Sequence, residues 1–368
     1  MTRVAVTAIA AALLSSCGGQ QPLRQPPIDP DVARANIQRV LPAGVSNRQG
    51  WAIDIFAAFE ALKIAPTDDN ICAVVAVTQQ ESTFQATPAV PNLAKIARGE
   101  IEDRAARFHI PKLVVRAALE LSSPTGKSYN ERLDAVRTED ELSDIFEDFI
   151  SVVPLGKMLF ADFNPVRTGG PMQVSIAYAE QHADDKRYPY PIATTVRDEV
   201  FTRRGGMYFG IAHLLDYRAP YSDMLYRFAD FNAGHYASRN AAFQNAVATL
   251  TKTKLSLDGD LLLHGDRADE PSNTELATRK LAARLEMNDA QIRRDLERGD
   301  DEDFHDTRLY KRVFELENKA RPLPQAVMPQ IRLQSAKITR KLTTSWFANR
   351  VNERYKQCLS RARATPKK

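Results

Sequence analysis

Ile71-Cys72-Ala73-Val74-Val75-Ala76-Val77 runs without a polar break and, after Thr78-Gln79, ends on Gln80-Glu81-Ser82-Thr83-Phe84. A stretch that is apolar on every side belongs in the middle of a protein. It sets the Glu81 carboxyl at its end, where desolvation favours the protonated acid. Alone, a Glu-Ser pair at this place is as well explained by a solvated or capping glutamate. Two later segments add to it, Gly169-Gly170-Pro171-Met172-Gln173-Val174 and Phe231-Asn232-Ala233-Gly234.

Working outward, helical spacing dominates. Val32, Ile37, Val40 and Leu41, then Trp51, Ile53, Ile55, Phe56, Phe59 and Leu62, recur every three or four residues, and strand-like alternation is scarce. Amphipathic segments follow at Leu93 to Phe108, Lys112 to Leu121, Tyr129 to Val136 and Glu139 to Val152, the last behind the cap Thr138-Glu139-Asp140-Glu141. The expected fold class is all-α. With 368 residues and 43% hydrophobic content the chain can bury a sizeable core. Its 50 basic and 46 acidic side chains leave a net charge of +4, which argues against nucleic acid as the main partner.

After Leu261-Leu262-Leu263-His264-Gly265 the composition shifts, and residues 266–368 read as a charged helical extension. Near its end Ile338, Leu342, Trp346, Phe347 and Val351 interleave with basic residues, which predicts a helix whose apolar side packs on the body; the alternative is a helix lying on an anionic surface. Cys72 sits in the apolar run and Cys358 in the basic tail, so the expectation is two unpaired thiols and no metal site. The histidines 109, 182, 213, 235, 264 and 305 show no ligand-like spacing, and His213 is expected to pack on its own helix. No Gly-x-Ser-x-Gly, P-loop or dinucleotide pattern occurs, so neither a cofactor nor a nucleotide is expected.

The N-terminus has a basic start, Met1-Thr2-Arg3, and an apolar stretch from Val4 to Leu14 that is too short to span a bilayer. It leads into Leu14-Ser15-Ser16-Cys17-Gly18, which resembles the bacterial lipobox; the competing reading is an ordinary secretory signal that contains a cysteine. The resemblance implies a signal peptide over 1–16 and palmitate-type acyl chains on Cys17 as a membrane anchor. The absence of an aspartate after Cys17 implies outer-membrane sorting. Residues 17–30, with prolines at 22, 26, 27 and 30, read as a tether.

Taken in order, the chemistry-bearing segments are similar to those of the lytic transglycosylases of the lysozyme-like superfamily. Glu81-Ser82 matches that family's Glu-Ser, and Gly170-Pro171-Met172-Gln173 its Gly-Leu-Met-Gln. Gly210-Ile211-Ala212-His213-Leu214 matches Gly-x-x-Tyr-Leu with His for Tyr, and Asp230-Phe231-Asn232-Ala233-Gly234 matches Ala-Tyr-Asn-Ala-Gly with Asp for Ala and Phe for Tyr. The resemblance implies a lysozyme-like core over 31–265 that binds and cleaves peptidoglycan glycan strands. Glu81 would be the single catalytic acid and base, with Ser82, Gly170, Met172, Gln173, Phe231, Asn232 and Gly234 around the substrate. The substrate's own acetamido group and C6 hydroxyl replace a second carboxylate, leaving a 1,6-anhydromuramoyl end. Were a second carboxylate used, Asp162, Asp223 and Asp230 are the candidates, each better explained as a surface or capping residue.

The chain departs from the family in two ways. Glu81 and Gln173 stand 92 residues apart, so a helical insertion at about 88–165 lies beside the cleft and deepens, caps or blocks it. Phe231 lacks the Tyr hydroxyl that the family directs at its acid. These departures, together with Pro171 where the family has Leu, favour the alternative, a non-catalytic lipoprotein that uses the cleft to bind glycan or a protein. Beyond the last motif, Ser238 or Asn240 is expected to cap the next helix, with Arg239 facing the groove.

Overall fold

A computed structural model describes residues 29–152, 164–317, 322–333 and 340–364. The expected signal peptide, Cys17, most of the tether and Asp162 fall outside them. The fold is all-α; the strands among the described residues are the two-stranded pairings between Thr168–Gly169 (β1) and Val174–Ser175 (β2) and between Arg332–Leu333 (β3) and Leu342–Thr343 (β4). No helix among the described residues is long and apolar enough to cross a membrane.

Three helices open the chain: α1 (Pro30–Val40), α2 (Arg48–Leu62) and α3 (Asp68–Glu81). In α3 the Thr67 side chain accepts from the Asn70 amide at 3.2 Å, and Asp68 and Asp69 complement the positive end of the helix. Every residue from Ile71 to Thr78 is buried, as a run apolar all round requires. The Ser82 hydroxyl donates to the Thr78 carbonyl and closes the last turn. Val32 and Ile53, counted in the apolar pattern, in fact point outward, 54% and 41% exposed.

The insertion is helical: α4 (Leu93–Arg107), α5 (Lys112–Leu119), α6 (Tyr129–Ala135) and α7 (Glu139–Val152). Thr138 and Glu141 cap α7 reciprocally, each side chain bonded to the other's backbone amide. Beyond β2 come α8 (Ile176–Asp185), α9 (Val196–Phe201), α10 (Arg203–Leu215), α11 (Met224–Ala233) and α12 (Ala237–Thr251). Helix α10 is the spine, buried at every residue from Gly205 to Ala212 and again at Leu214.

Helices α13 (Asn273–Arg279), α14 (Ala282–Leu285), α15 (Asp289–Leu296) and α16 (Arg308–Glu317) build a second core with α12, around Phe243, Leu285, Ile292, Phe304 and Val313. This core begins on α12, ahead of the composition shift at 265. Within it the Glu275 carboxylate is fully buried between Arg279 at 2.6 Å and Arg293 at 2.8 Å, a pairing that offsets its desolvation.

The last helix, α17 (Thr344–Arg363), returns to the first core. Phe347, Ala348, Val351 and Cys358 form its buried stripe, and it lies along α3 and α11. The apolar side of the basic tail thus packs on the body. The expectation of two unpaired thiols is overturned: Cys72 and Cys358 form a disulfide, 286 residues apart. Both are fully buried because α17 lies on α3, a juxtaposition that local sequence around either cysteine does not announce.

Candidate functional site

Helix α10 meets residues in or near the three motif segments. Met207, Gly210 and His213 follow at three-residue steps and so share a face. The Thr78 hydroxyl, one turn before Glu81, meets the Met207 sulfur at 3.8 Å. Gly210 presses on Met172, next to Gln173, so closely that a Cβ there would lie 2.6 Å from the Met172 side chain. The His213 ring sits 5.0 Å from Phe231, next to Asn232, and its Nε2–H donates to the Phe231 carbonyl at 3.3 Å. The contacts of Met172 and Phe231 lie at expected substrate residues, and that of Thr78 lies one turn from Glu81.

The backbone beyond Glu81 is strained. Thr83 and Phe84 both adopt left-handed conformations, φ 52° and 62°, which side-chain-bearing residues avoid. Each such residue costs on the order of 1–3 kcal/mol and persists only where packing holds it. Here the hold is Phe84, buried with its ring edge-on to Trp51 at 5.2 Å. The strained turn sets how the chain leaves Glu81, itself half-buried beside the buried Ser82.

Around Gln173 the β1–β2 hairpin turns through Gly170 at φ 72°. Gln173 takes the left-handed region too; its side chain donates to the Gly170 carbonyl at 3.3 Å and accepts from Thr168. A Cβ at Gly170 would meet the Val200 carbonyl oxygen at 2.2 Å. Gly170→Ala is therefore expected to destabilise the protein by roughly 2–5 kcal/mol, the combined scale of a disfavoured φ and overpacking. Urea unfolding measures it, and a loss below about 0.5 kcal/mol would mean the hairpin moves freely.

Helix α17 runs past two of the expected site residues. At its start the Thr344 hydroxyl donates to Asn232 Oδ1 at 2.9 Å. Ten residues and about 15 Å further along the axis, the Arg354 guanidinium lies within electrostatic reach of Glu81. Burial holds Arg354 below the usual guanidinium range while the Glu81 charge pulls it back up; its Nε is buried with no hydrogen-bond partner among the described residues. One helix thus touches both Asn232 and the Glu81 neighbourhood, a link no motif in the sequence announces. Gly234 ends α11 at φ 107°, exposed, with open space where a side chain would stand.

Two expectations are corrected. Arg239 does not face a groove: it is fully buried, donates to the Gly299, Asp301 and Glu302 carbonyls and stacks 4.2 Å from the Tyr236 ring, tying α12 to the second core. Neither Ser238 nor Asn240 caps α12, whose N-cap is Tyr236. The capping falls to Asp230, whose Oδ1 accepts from the Ser238 amide at 2.7 Å while Tyr217 and Tyr221 donate to its Oδ2. Asp230, fully buried and raised by that burial, has no face left for substrate. Asp223 caps α11 from the surface, as expected of a capping residue.

Behind the motif face lies a cluster that the search for ligand spacing missed. His213 and His235 stack at 4.4 Å, His235 on Tyr217 at 4.2 Å, and Tyr178 touches His182, His213 and His235. Burial depresses all three histidines, His213 to about 3. Its Nδ1 is buried without a hydrogen-bond partner among the described residues, which suits a neutral ring. No group of histidines, cysteines and carboxylates among the described residues could hold a metal.

A histidine whose folded value lies below its unfolded one destabilises the fold as pH falls through the unfolded value, about 6.5. Stability should therefore drop from about pH 6.5 downward, by up to about 1.4 kcal/mol per pH unit for His213 alone. Asp140, pushed up to about 6 by burial and Asp144, acts in the opposite sense, so the comparison must be with His213→Phe, which keeps Asp140. Urea unfolding between pH 7 and pH 4.5 should show a shallower decline in the variant; equal slopes would contradict the neutral-ring assignment.

Residues 44–361 match the family described as "Protein of unknown function (DUF1615)". The chain is 56% identical over 355 residues to "Uncharacterized protein YaiW" of Escherichia coli (strain K12), an alignment that covers 95% of this chain and 96% of that protein. No solved structure matches. With a family match over most of its length and so close a full-length relative, the chain belongs to the DUF1615 family.

Proposed function

We propose that this is a lipid-anchored cell-envelope protein, held to the outer membrane through Cys17, that binds peptidoglycan glycan strands at the Glu81 site and cleaves them by a lytic transglycosylase reaction. The observation that carries the reading is the convergence on α10: Thr78, one turn before Glu81, Met172, beside Gln173, and Phe231, beside Asn232, are far apart in sequence and meet Met207, Gly210 and His213. In the proposed reaction the Glu81 carboxyl gives its proton to the glycosidic oxygen as the bond to C1 breaks. The carboxylate so formed takes the proton from the C6 hydroxyl as that oxygen closes on C1. One residue serves as acid and then base, and no water is consumed. Gln173 and Asn232 would hold sugar acetamido groups, each giving up an internal bond, to Gly170 and Thr344 respectively.

The experiment is to incubate the chain beginning at Gly18 with purified sacculi and analyse the soluble products by mass spectrometry. All described elements lie beyond that point. Muropeptides with 1,6-anhydro ends, one water lighter than hydrolytic products, are the expected result. Hydrolytic ends would contradict the mechanism.

A second reading, a non-catalytic glycan-binding lipoprotein, is favoured by the Arg354 guanidinium within electrostatic reach of Glu81, which sets a cation beside the residue that the first reading needs as a proton donor. Phe231, which has no hydroxyl to offer, points the same way. On this reading the protein sediments with sacculi and releases nothing.

A further inference from the structure

Helices α4 and α5 meet at a tip that sets large apolar side chains in solvent. Phe108, Ile110, Leu113 and Val114 stand at 58%, 39%, 77% and 54% exposure, and no residue of α5 is buried. Loose backbone does not explain this. The Ile110 amide donates to the Ala105 carbonyl at 2.9 Å and the His109 amide to the Ala106 carbonyl at 3.0 Å, with His109 left-handed at φ 57°. These are the paired bonds that close a helix end in a fixed geometry. Exposed apolar side chains so close in sequence, held out by a built turn, make a surface that soluble proteins keep small unless it binds something.

Charge specifies the occupant. From Arg104 to Leu119 the chain carries four cationic side chains, Arg104, Arg107, Lys112 and Arg116, and no carboxylate. Glu102 reaches in from α4 to pair with Lys112 at 2.6 Å, while Arg107 and Arg116 flank the apolar residues and are exposed. On α5, Lys112 and Arg116 are four residues apart and Leu113 and Arg116 three, so apolar and cationic groups neighbour one another on its solvent side. Apolar side chains rimmed by Lys and Arg suit the boundary between headgroups and acyl chains of an anionic bilayer. The segment ahead of the fold favours the same occupant: on the lipid-anchor reading Cys17 lies 12 residues before Asp29, which holds Asp29 within about 40 Å of a membrane. We propose that the α4–α5 tip is a membrane-contact surface. Phe108, Leu113 and Val114 enter the acyl boundary of an anionic bilayer, and Arg107, Lys112 and Arg116 lie on its headgroups. The tether enters this choice only through the lipid-anchor reading, and a chain without Cys17 tests the surface apart from it.

The test floats the chain beginning at Gly18, which carries no acyl group, with vesicles of phosphatidylglycerol and phosphatidylethanolamine and, separately, with phosphatidylcholine vesicles. It should float with the anionic vesicles, less with phosphatidylcholine, and less as salt is raised. Leu113→Glu, at an exposed position where folding should survive, should weaken binding at least about tenfold. Arg107→Glu combined with Arg116→Glu should remove the preference for anionic vesicles. Lipid brominated on its acyl chains should quench Leu113→Trp beyond the quenching of Trp51 and Trp346 in the wild type, which a purely electrostatic contact would not produce. No flotation overturns the proposal, as does flotation untouched by Leu113→Glu. Self-association of the wild type that Leu113→Glu abolishes, without flotation, overturns it too, since a second copy would then cover the tip.

Discussion

Replacing Cys72 and Cys358 together by alanine is expected to remove on the order of 5 kcal/mol of stability. The disulfide closes a loop of 286 residues, and the entropy a crosslink takes from the unfolded chain grows with the logarithm of loop length. Globular domains hold only about 5–15 kcal/mol in total, so the variant should sit near its unfolding threshold at 37 °C. The loss is not spread evenly. Without the crosslink the C-terminal half of α17 is held by the Tyr355 bond to Asp69, the bond from Arg361 to the Val40 carbonyl, the bonds from Arg39 to the Arg361 and Ala362 carbonyls, and the packing of Tyr355, Leu359 and Ala362 on the first core. Amide exchange in α17 should therefore rise before exchange in α10 does. Urea unfolding with and without reductant checks the magnitude. A reduced protein within about 1 kcal/mol of the oxidised one would show that α17 docks on α3 by packing alone.

How much of this was legible in the sequence depends on the range of the interaction. Helical periodicity located the insertion helices closely, because an amphipathic stripe such as Tyr129, Leu133 and Val136 is a local property. The buried α3 and the packing of the basic tail were legible for the same reason. The order of the three motif segments was readable. What escaped was decided by contacts between distant elements. Cys72 and Cys358 are joined because α17 returns across the whole chain to α3. Arg239 looked like a groove residue because it follows Asn232-Ala233-Gly234, yet carbonyls at 299, 301 and 302 claim it. Asp230 departs from the Ala of the family that the motifs resemble, and its reason lies eight residues on, at the Ser238 amide. The three-histidine cluster joins α8, α10 and the turn after α11, with no spacing rule to announce it.

Glu81→Gln is expected to reduce glycan cleavage by about 10²–10⁴-fold, the range associated with losing a positioned proton donor and acceptor. The substitution is nearly isosteric at a half-buried position at the end of α3, so folding should survive: Ser82 still closes the helix on Thr78, and the Trp51–Phe84 contact is untouched. A matched unfolding midpoint separates lost chemistry from lost structure. Binding to sacculi should persist in the variant, because Gln173 and Asn232 are unchanged. The most direct measurement is the yield of 1,6-anhydromuropeptides from purified sacculi by the two proteins at equal concentration. The account predicts abundant anhydro products from the wild type and a yield at least about a hundredfold lower from Glu81→Gln; equal yields, or none from either protein, would contradict it.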